Sequence, residues 1–153
     1  AKRGESVLAL DVLRRLPDSA AAVVVHLARA RALHETHPED PRLIKETQEV
    51  LQSPGLMASP YQRAWASLIS AAFRESRGES ERALEDARAA LAKGPVRDEE
   101  FGVPLSMIFQ RLGAFKEAQA VLSRLPTSGA QSERRAIAEA QLALESRDLE
   151  AAE

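Results

Sequence analysis

The chain has 153 residues and a net charge of −2, with 28 Ala and 17 Arg against 4 Lys, 6 aromatic residues and no Cys. That length can bury the core of one domain, and the missing cysteines exclude disulfides, thiolate nucleophiles and thiolate metal sites. The near-balanced charge gives no electrostatic reason for nucleic acid or an anionic membrane as partner. Ala and Arg rank among the strongest helix formers, and a core with so few rings suits closely packed helices better than a sandwich or barrel.

Along the chain the pattern is helical throughout. From Gly4 to Pro17 a helix is expected with Val12, Leu13 and Leu16 as its apolar stripe, three, four and seven residues after Ala9. The longest apolar run, Ala20 to Val25, lies in the next helix, Ser19 to Thr36. It falls far short of the ~20 residues needed to span a bilayer. Pro41 to Leu51 follows, then Pro60 to Arg77 and Gly78 to Leu91. Residues 94–102 are expected as a loop. Asp98-Glu99-Glu100 has the look of a helix start, but Pro is best tolerated at a first helical position, and Pro104 therefore sets the next helix at Val103 to Leu112. Gly113 to Pro126 and Ala130 to Ser146 complete the series, and a further helix opens at Arg147.

Alternate helices repeat. In Gly4…Ala9…Val12-Leu13…Leu16-Pro17 and Gly113…Ala118…Val121-Leu122…Leu125-Pro126 the Gly, the small residue, the Val-Leu pair and the Pro share one spacing. Gly78…Ala83…Ala87 is a third copy, Leu43…Thr47…Val50-Leu51 a weaker fourth, and Arg147-Asp-Leu149…Ala152 the start of a fifth. The small position recurs as Ala9, Thr47, Ala83, Ala118 and Ala152, at intervals of 38, 36, 35 and 34 residues. A near-constant period with small loop insertions is what stacked supersecondary units produce.

Leu105, Ser106, Phe109, Gly113, Phe115, Ala118 and Leu122 form one unbroken unit of bulky–small–bulky helix followed by Gly, aromatic and Ala. Trp65, Phe73, Gly78, Ala83, Ala90 and Pro95 follow it less regularly. In this pattern the chain resembles the tetratricopeptide repeats. The resemblance implies an all-α solenoid of antiparallel helix pairs wound as a right-handed superhelix. It divides the chain into a partial repeat over 1–17, repeats at about 18–54, 58–95 and 98–126, and a partial repeat over 130–153. It also implies a binding role, with the first helix of each pair lining a concave groove, and neither enzymatic activity nor a cofactor.

Candidate sites are few. His34, Glu35, His37, Glu39 and Asp40 have metal-ligand types, but Pro38 and Pro41 break the helix that would fix their geometry, so a solvated loop is expected. Gly78-Glu-Ser80 lacks the strand and second Gly of a nucleophile elbow. On the groove helices the expected partner-binding residues are His26 and Arg29, then Tyr61, Trp65 and Arg74, then Met107, Gln110 and Arg111. Trp, Tyr, Met and Arg are enriched at interfaces, and Arg offers a rigid fork for carboxylates and carbonyls. The family's clamp for a partner's terminal carboxylate uses Lys and Asn. This chain has no Asn.

The expected function is a protein–protein interaction scaffold in a larger bacterial assembly, with envelope or exopolysaccharide export apparatus as the first setting. The alternatives are a sensor array of a transcriptional regulator and a groove binding an anionic polymer, carbohydrate or nucleic acid. Cytoplasm and periplasm fit the composition equally, and no segment is suited to membrane insertion. Neither end reads as a cap. Val7, Leu8, Leu10, Val12 and Leu13 at one end, and Ile137, Leu142 and Leu144 at the other, are expected to face an absent neighbour, so the chain reads as part of a longer array whose ends could self-associate.

Overall fold

The computed structural model describes residues 23–53, 58–126 and 133–152, and every regular element within them is an α-helix. In order these are α1 (Val23–Thr36), α2 (Arg42–Leu51), α3 (Pro60–Ser76), α4 (Ser80–Lys93), α5 (Glu99–Arg111), α6 (Phe115–Ser123) and α7 (Glu133–Ala152). The all-helical expectation therefore holds among the described residues. The helix expected over 4–17 lies outside them. Two compact units divide the chain between Lys93 and Gly94.

In the first unit α1 packs on α2 and α3, α2 packs on α3, and α3 packs most extensively on α4. The position of α3 explains its composition. It is buried on every side from Ala64 to Ala71, and Ala64, Ala66, Ala71, Ser67 and Ser70 in that run let neighbouring backbones approach closely. Its start is fixed by a reciprocal cap: Gln62 N–H donates to Ser59 Oγ at 3.1 Å and Ser59 N–H donates to Gln62 Oε1 at 2.9 Å. Pro60 occupies the first turn, where its missing N–H costs nothing.

The recurring small position is buried in each described copy: Thr47, Ala83 and Ala118 are all fully inaccessible. Thr47 fits a place held elsewhere by Ala because its hydroxyl donates back to the Leu43 and Ile44 carbonyls, at 2.9 and 3.1 Å, leaving no buried polar group unsatisfied. Around that position α2 buries Leu43, Thr47 and Val50, α4 buries Ala83, Ala87 and Ala90, and α6 buries Ala118, Val121 and Leu122. Each is a single narrow stripe, so these helices cover one flank of their partners.

The turns at Gly78 and Gly113 are the same structure. Both glycines are left-handed, with φ of 76° and 75°. Glu79 N–H reaches back to Arg74 O and Gly78 N–H to Glu75 O, at 3.0 and 3.1 Å; Ala114 N–H reaches Phe109 O and Gly113 N–H reaches Gln110 O, at 2.8 and 3.0 Å. These paired bonds end a helix on a residue of positive φ, which only glycine adopts without strain. The next helix then closes on the same offset, Ala83 N–H to Glu79 O and Ala118 N–H to Ala114 O.

In the second unit α5 packs on α6 and α7, and α6 on α7. Here two expectations are corrected. α5 starts at Glu99, not near Val103, so Pro104 lies inside the helix. Asp98 caps the first turn by accepting from Glu100 N–H at 3.0 Å, and Phe101 in that turn is fully buried. A cap is worth about 1 kcal/mol and a buried Phe about 2–3 kcal/mol. Together they outweigh the single bond Pro104 cannot donate and the crowding of its ring. α7, in turn, runs unbroken through Arg147 and Asp148, where a new helix was expected to open. No glycine stands there to reverse the chain as Gly78 and Gly113 do.

α7 buries Arg135, Ala138 and Leu142 along one face, while Ile137 and Leu144 are exposed. Leu142 therefore belongs to the core of this unit, contrary to the expectation that it faces an absent neighbour. The apolar residues expected to do so at 7–13 lie outside the described residues.

Candidate partner-binding surface

The aromatic part of the predicted site lies between α1 and α3. Trp65 is buried in the body of α3, and one turn earlier Tyr61 meets it edge-on, with ring centroids 6.5 Å apart and planes at 65°. From α1 the Arg31 guanidinium lies over the Trp65 ring, 4.4 Å from its centroid. Such a cation–π contact contributes about 0.5–2 kcal/mol, rising as water is excluded. Trp65 thus serves as packing and as the floor of a shelf. Tyr61, at 49% exposure, is its open edge.

Other predicted residues are engaged elsewhere. His26 Nδ1 stands 2.6 Å from Glu46 Oε2 on α2, with both side chains largely covered. Arg29 is buried. Arg74 was expected to project into a groove; its Nη1 donates instead to Asp86 Oδ2 on α4 at 2.9 Å, and the Ser70 hydroxyl donates to the same oxygen at 2.7 Å. Burial pushes the Asp86 carboxyl above its ordinary range, against the opposing pull of Ser70 and Arg74. Asp86 stands where the other copies of the repeat carry Val50 and Val121. A polar triad replaces an apolar contact there, and Arg74 holds that triad together.

In the second unit Met107 is half-buried and Arg111 exposed. Gln110 is buried, and its side-chain amide donates to the Ala138 carbonyl of α7 at 3.0 Å. Satisfying a backbone acceptor in the core is a structural role, so of the three groove residues expected on α5 only Met107 and Arg111 remain accessible.

The acidic and histidine cluster after α1 resolves into local bonds. His37 Nδ1 lies 2.9 Å from Thr36 Oγ1, and Arg42 donates to Asp40 through its backbone N–H at 2.9 Å and its Nε at 3.0 Å. The Arg42 hydrogen bond lowers the Asp40 pKa to about 2. Among the described residues no group of three or more His, Asp or Glu is placed to hold a metal ion.

Three arginines that the sequence did not single out make specific contacts within the fold. Arg31 is one. Arg63 donates to the carbonyls of Leu51, Ser53 and Ala58, at 2.8, 2.7 and 3.3 Å, and so satisfies the C-terminal end of α2 with a cation, as the helix dipole favours. Arg135, almost fully buried, donates to the Pro126 carbonyl and to Glu139, and lies 3.8 Å from Glu99. In an Arg-rich chain nothing in the spacing separates these from solvated arginines. The chain matches no protein-family model, no curated protein and no solved structure.

Proposed function

We propose that this chain is a protein–protein interaction module whose two units are each built of helix hairpins of the tetratricopeptide kind. The observation that carries the reading is the duplicated turn. Gly78 and Gly113 lie 35 residues apart in sequence and share their positive φ and their pattern of helix-ending bonds, and the small residue five places later is fully buried in both copies. Packing supports it too. In each unit a helix contacts its successor and the next helix but one, which is how repeats that bury surface only against their neighbours must be joined. Repeat surfaces of this type bind other macromolecules, and the Arg31–Trp65–Tyr61 shelf supplies the aromatic and guanidinium groups that dominate interface energetics.

The reading of the chain as a binder of anionic polymers is less favoured, because two of its groove arginines are engaged: Arg29 is buried and Arg74 is committed to Asp86. The test is to recover binding proteins with the full chain as bait, then to repeat the measurement with Tyr61→Glu and across a salt series. A partner that is lost with Tyr61→Glu and survives added salt supports the module. Binding that falls steeply with salt, in the manner of counterion release, refutes it in favour of a polyanion.

A further inference from the structure

Among the arginines of the first unit, Arg31 is set apart by how it is held. Arg42 is spent on Asp40, Arg63 on three carbonyls and Arg74 on Asp86. Arg31 makes its contact over the ring of Trp65, with its guanidinium carbon 4.4 Å from the ring centroid, and among the described residues no carboxylate or carbonyl is bonded to its N–H groups. Arg77 makes a looser stack, 5.5 Å from Phe73, but it is exposed at a turn with no second ring beside it. A guanidinium held over a buried ring has less freedom than one in solvent, so less further entropy is lost when its N–H groups are bonded.

We propose that Arg31 reads a carboxylate on the bound peptide, with an apolar side chain of that peptide resting on Tyr61. The proposal rests on the interaction-module reading and names the partner chemistry of that site. The fork of a single arginine matches the two oxygens of a carboxylate in its own plane. A phosphodiester chain would require a row of cations, whereas Glu35 is exposed one turn beyond Arg31 and the chain as a whole carries a net charge of −2. The apolar requirement comes from Tyr61, a residue 49% exposed beside Trp65, and from Val24, 63% exposed two turns earlier on the Arg31 face of α1. Arg31 thereby replaces Arg29 and Arg74 as the charged determinant of the surface.

Trp65 is the single tryptophan of the chain, so its emission reports on the stack directly. The experiment is selection of random peptides by the full chain in two display formats, one with the peptide internal to its carrier and one with a free C-terminus. Selected peptides are then titrated against the parent, Arg31→Lys and Arg31→Gln, following Trp65 fluorescence. The expected result is enrichment of a carboxylate next to an apolar residue. Arg31→Lys, which keeps the charge but loses the planar fork, should weaken binding about tenfold, and Arg31→Gln should abolish the acidic preference while remaining helical. The favoured format tells a side-chain carboxylate from a chain terminus. Selected peptides without acidic bias, or acidic peptides bound equally by both variants, would overturn the role of Arg31 and leave the module reading standing. If neither format enriched any peptide, both would fall.

Discussion

Gly102→Ala is the substitution for which the structure gives the sharpest magnitude. Gly102 lies in the second turn of α5 with its Cα face against the preceding loop. A methyl built there would stand 2.4 Å from the Val96 carbonyl oxygen and 3.0 Å from Leu125 Cδ2. Ordinary C···O approaches are about 3.3–3.6 Å, so the overlap with Val96 is on the order of 1 Å. The obstacle is backbone, and its loop is tied by Val96 N–H to Gly94 O and Asp98 N–H to Pro95 O, both at 2.9 Å. It cannot yield as a side-chain tip would. Overpacking in a close-packed core costs about 1–3 kcal/mol, and the rigid obstacle places this case at the upper end. Against it stands the gain of about 1 kcal/mol from replacing a helical Gly by Ala. The net expectation is a loss of about 2 kcal/mol, or roughly 10 °C in Tm for a unit of this size. Urea and thermal unfolding followed by far-ultraviolet circular dichroism measure it, and the transition that carries residues 94–153 should be the one that moves. Trimming Leu125 to Ala in the same chain should not restore the loss, since Leu125 is the lesser obstacle. A Gly102→Ala protein as stable as the parent would show that the Val96 carbonyl does not sit on α5 and would refute the reasoning.

Further outcomes follow from the same structure. Ala118→Glu places a charge at a fully buried small position and should cost on the order of 3 kcal/mol in the same unfolding assay; an unchanged midpoint would mean that the repeat register is wrong. Gly78→Ala and Gly113→Ala meet no neighbour within 4 Å, so each should cost only the strain of a left-handed Ala, about 1–2 kcal/mol. Unequal losses would separate two turns described here as the same. Arg74→Ala and Asp86→Ala should couple in a double-mutant cycle by about 1–2 kcal/mol, and Arg74→Glu should lower stability before it alters any binding. Because the folded Asp86 pKa is raised, its contribution to stability is fully present below the ordinary carboxylate range and is lost as pH rises through the folded value. Asp40, lowered to about 2, acts oppositely: its contribution is present above the ordinary range and lost as pH falls toward 2. Unfolding midpoints of the parent, Asp86→Asn and Asp40→Asn across an acid series should separate the two slopes.

The linear order of residues determined what is local. Helix content followed from the dominance of Ala and Arg. The turns at Gly78 and Gly113 followed from glycine, because only that residue supplies their φ without strain. The burial of Thr47, Ala83 and Ala118 followed from a period that places a small residue at each closest approach. The aromatic site was legible in part, since Trp65 and Tyr61 lie one turn apart on one helix and must meet. What crosses between helices was decided only by the tertiary structure. The start of α5 was misplaced because Pro104 is a local signal for a helix start, whereas the burial of Phe101 that overrides it is not local. Arg29, Arg31, Arg63 and Arg74 are alike in sequence. A buried site, a tryptophan face, a helix end and a carboxylate distinguish them, and each of those surroundings comes from packing that brings distant residues to within a few ångströms. Periodicity states which way a side chain points from its own helix; the partner waiting there is set by the neighbouring helix, and so Arg74 turned out to hold Asp86 while Arg31 lies over Trp65.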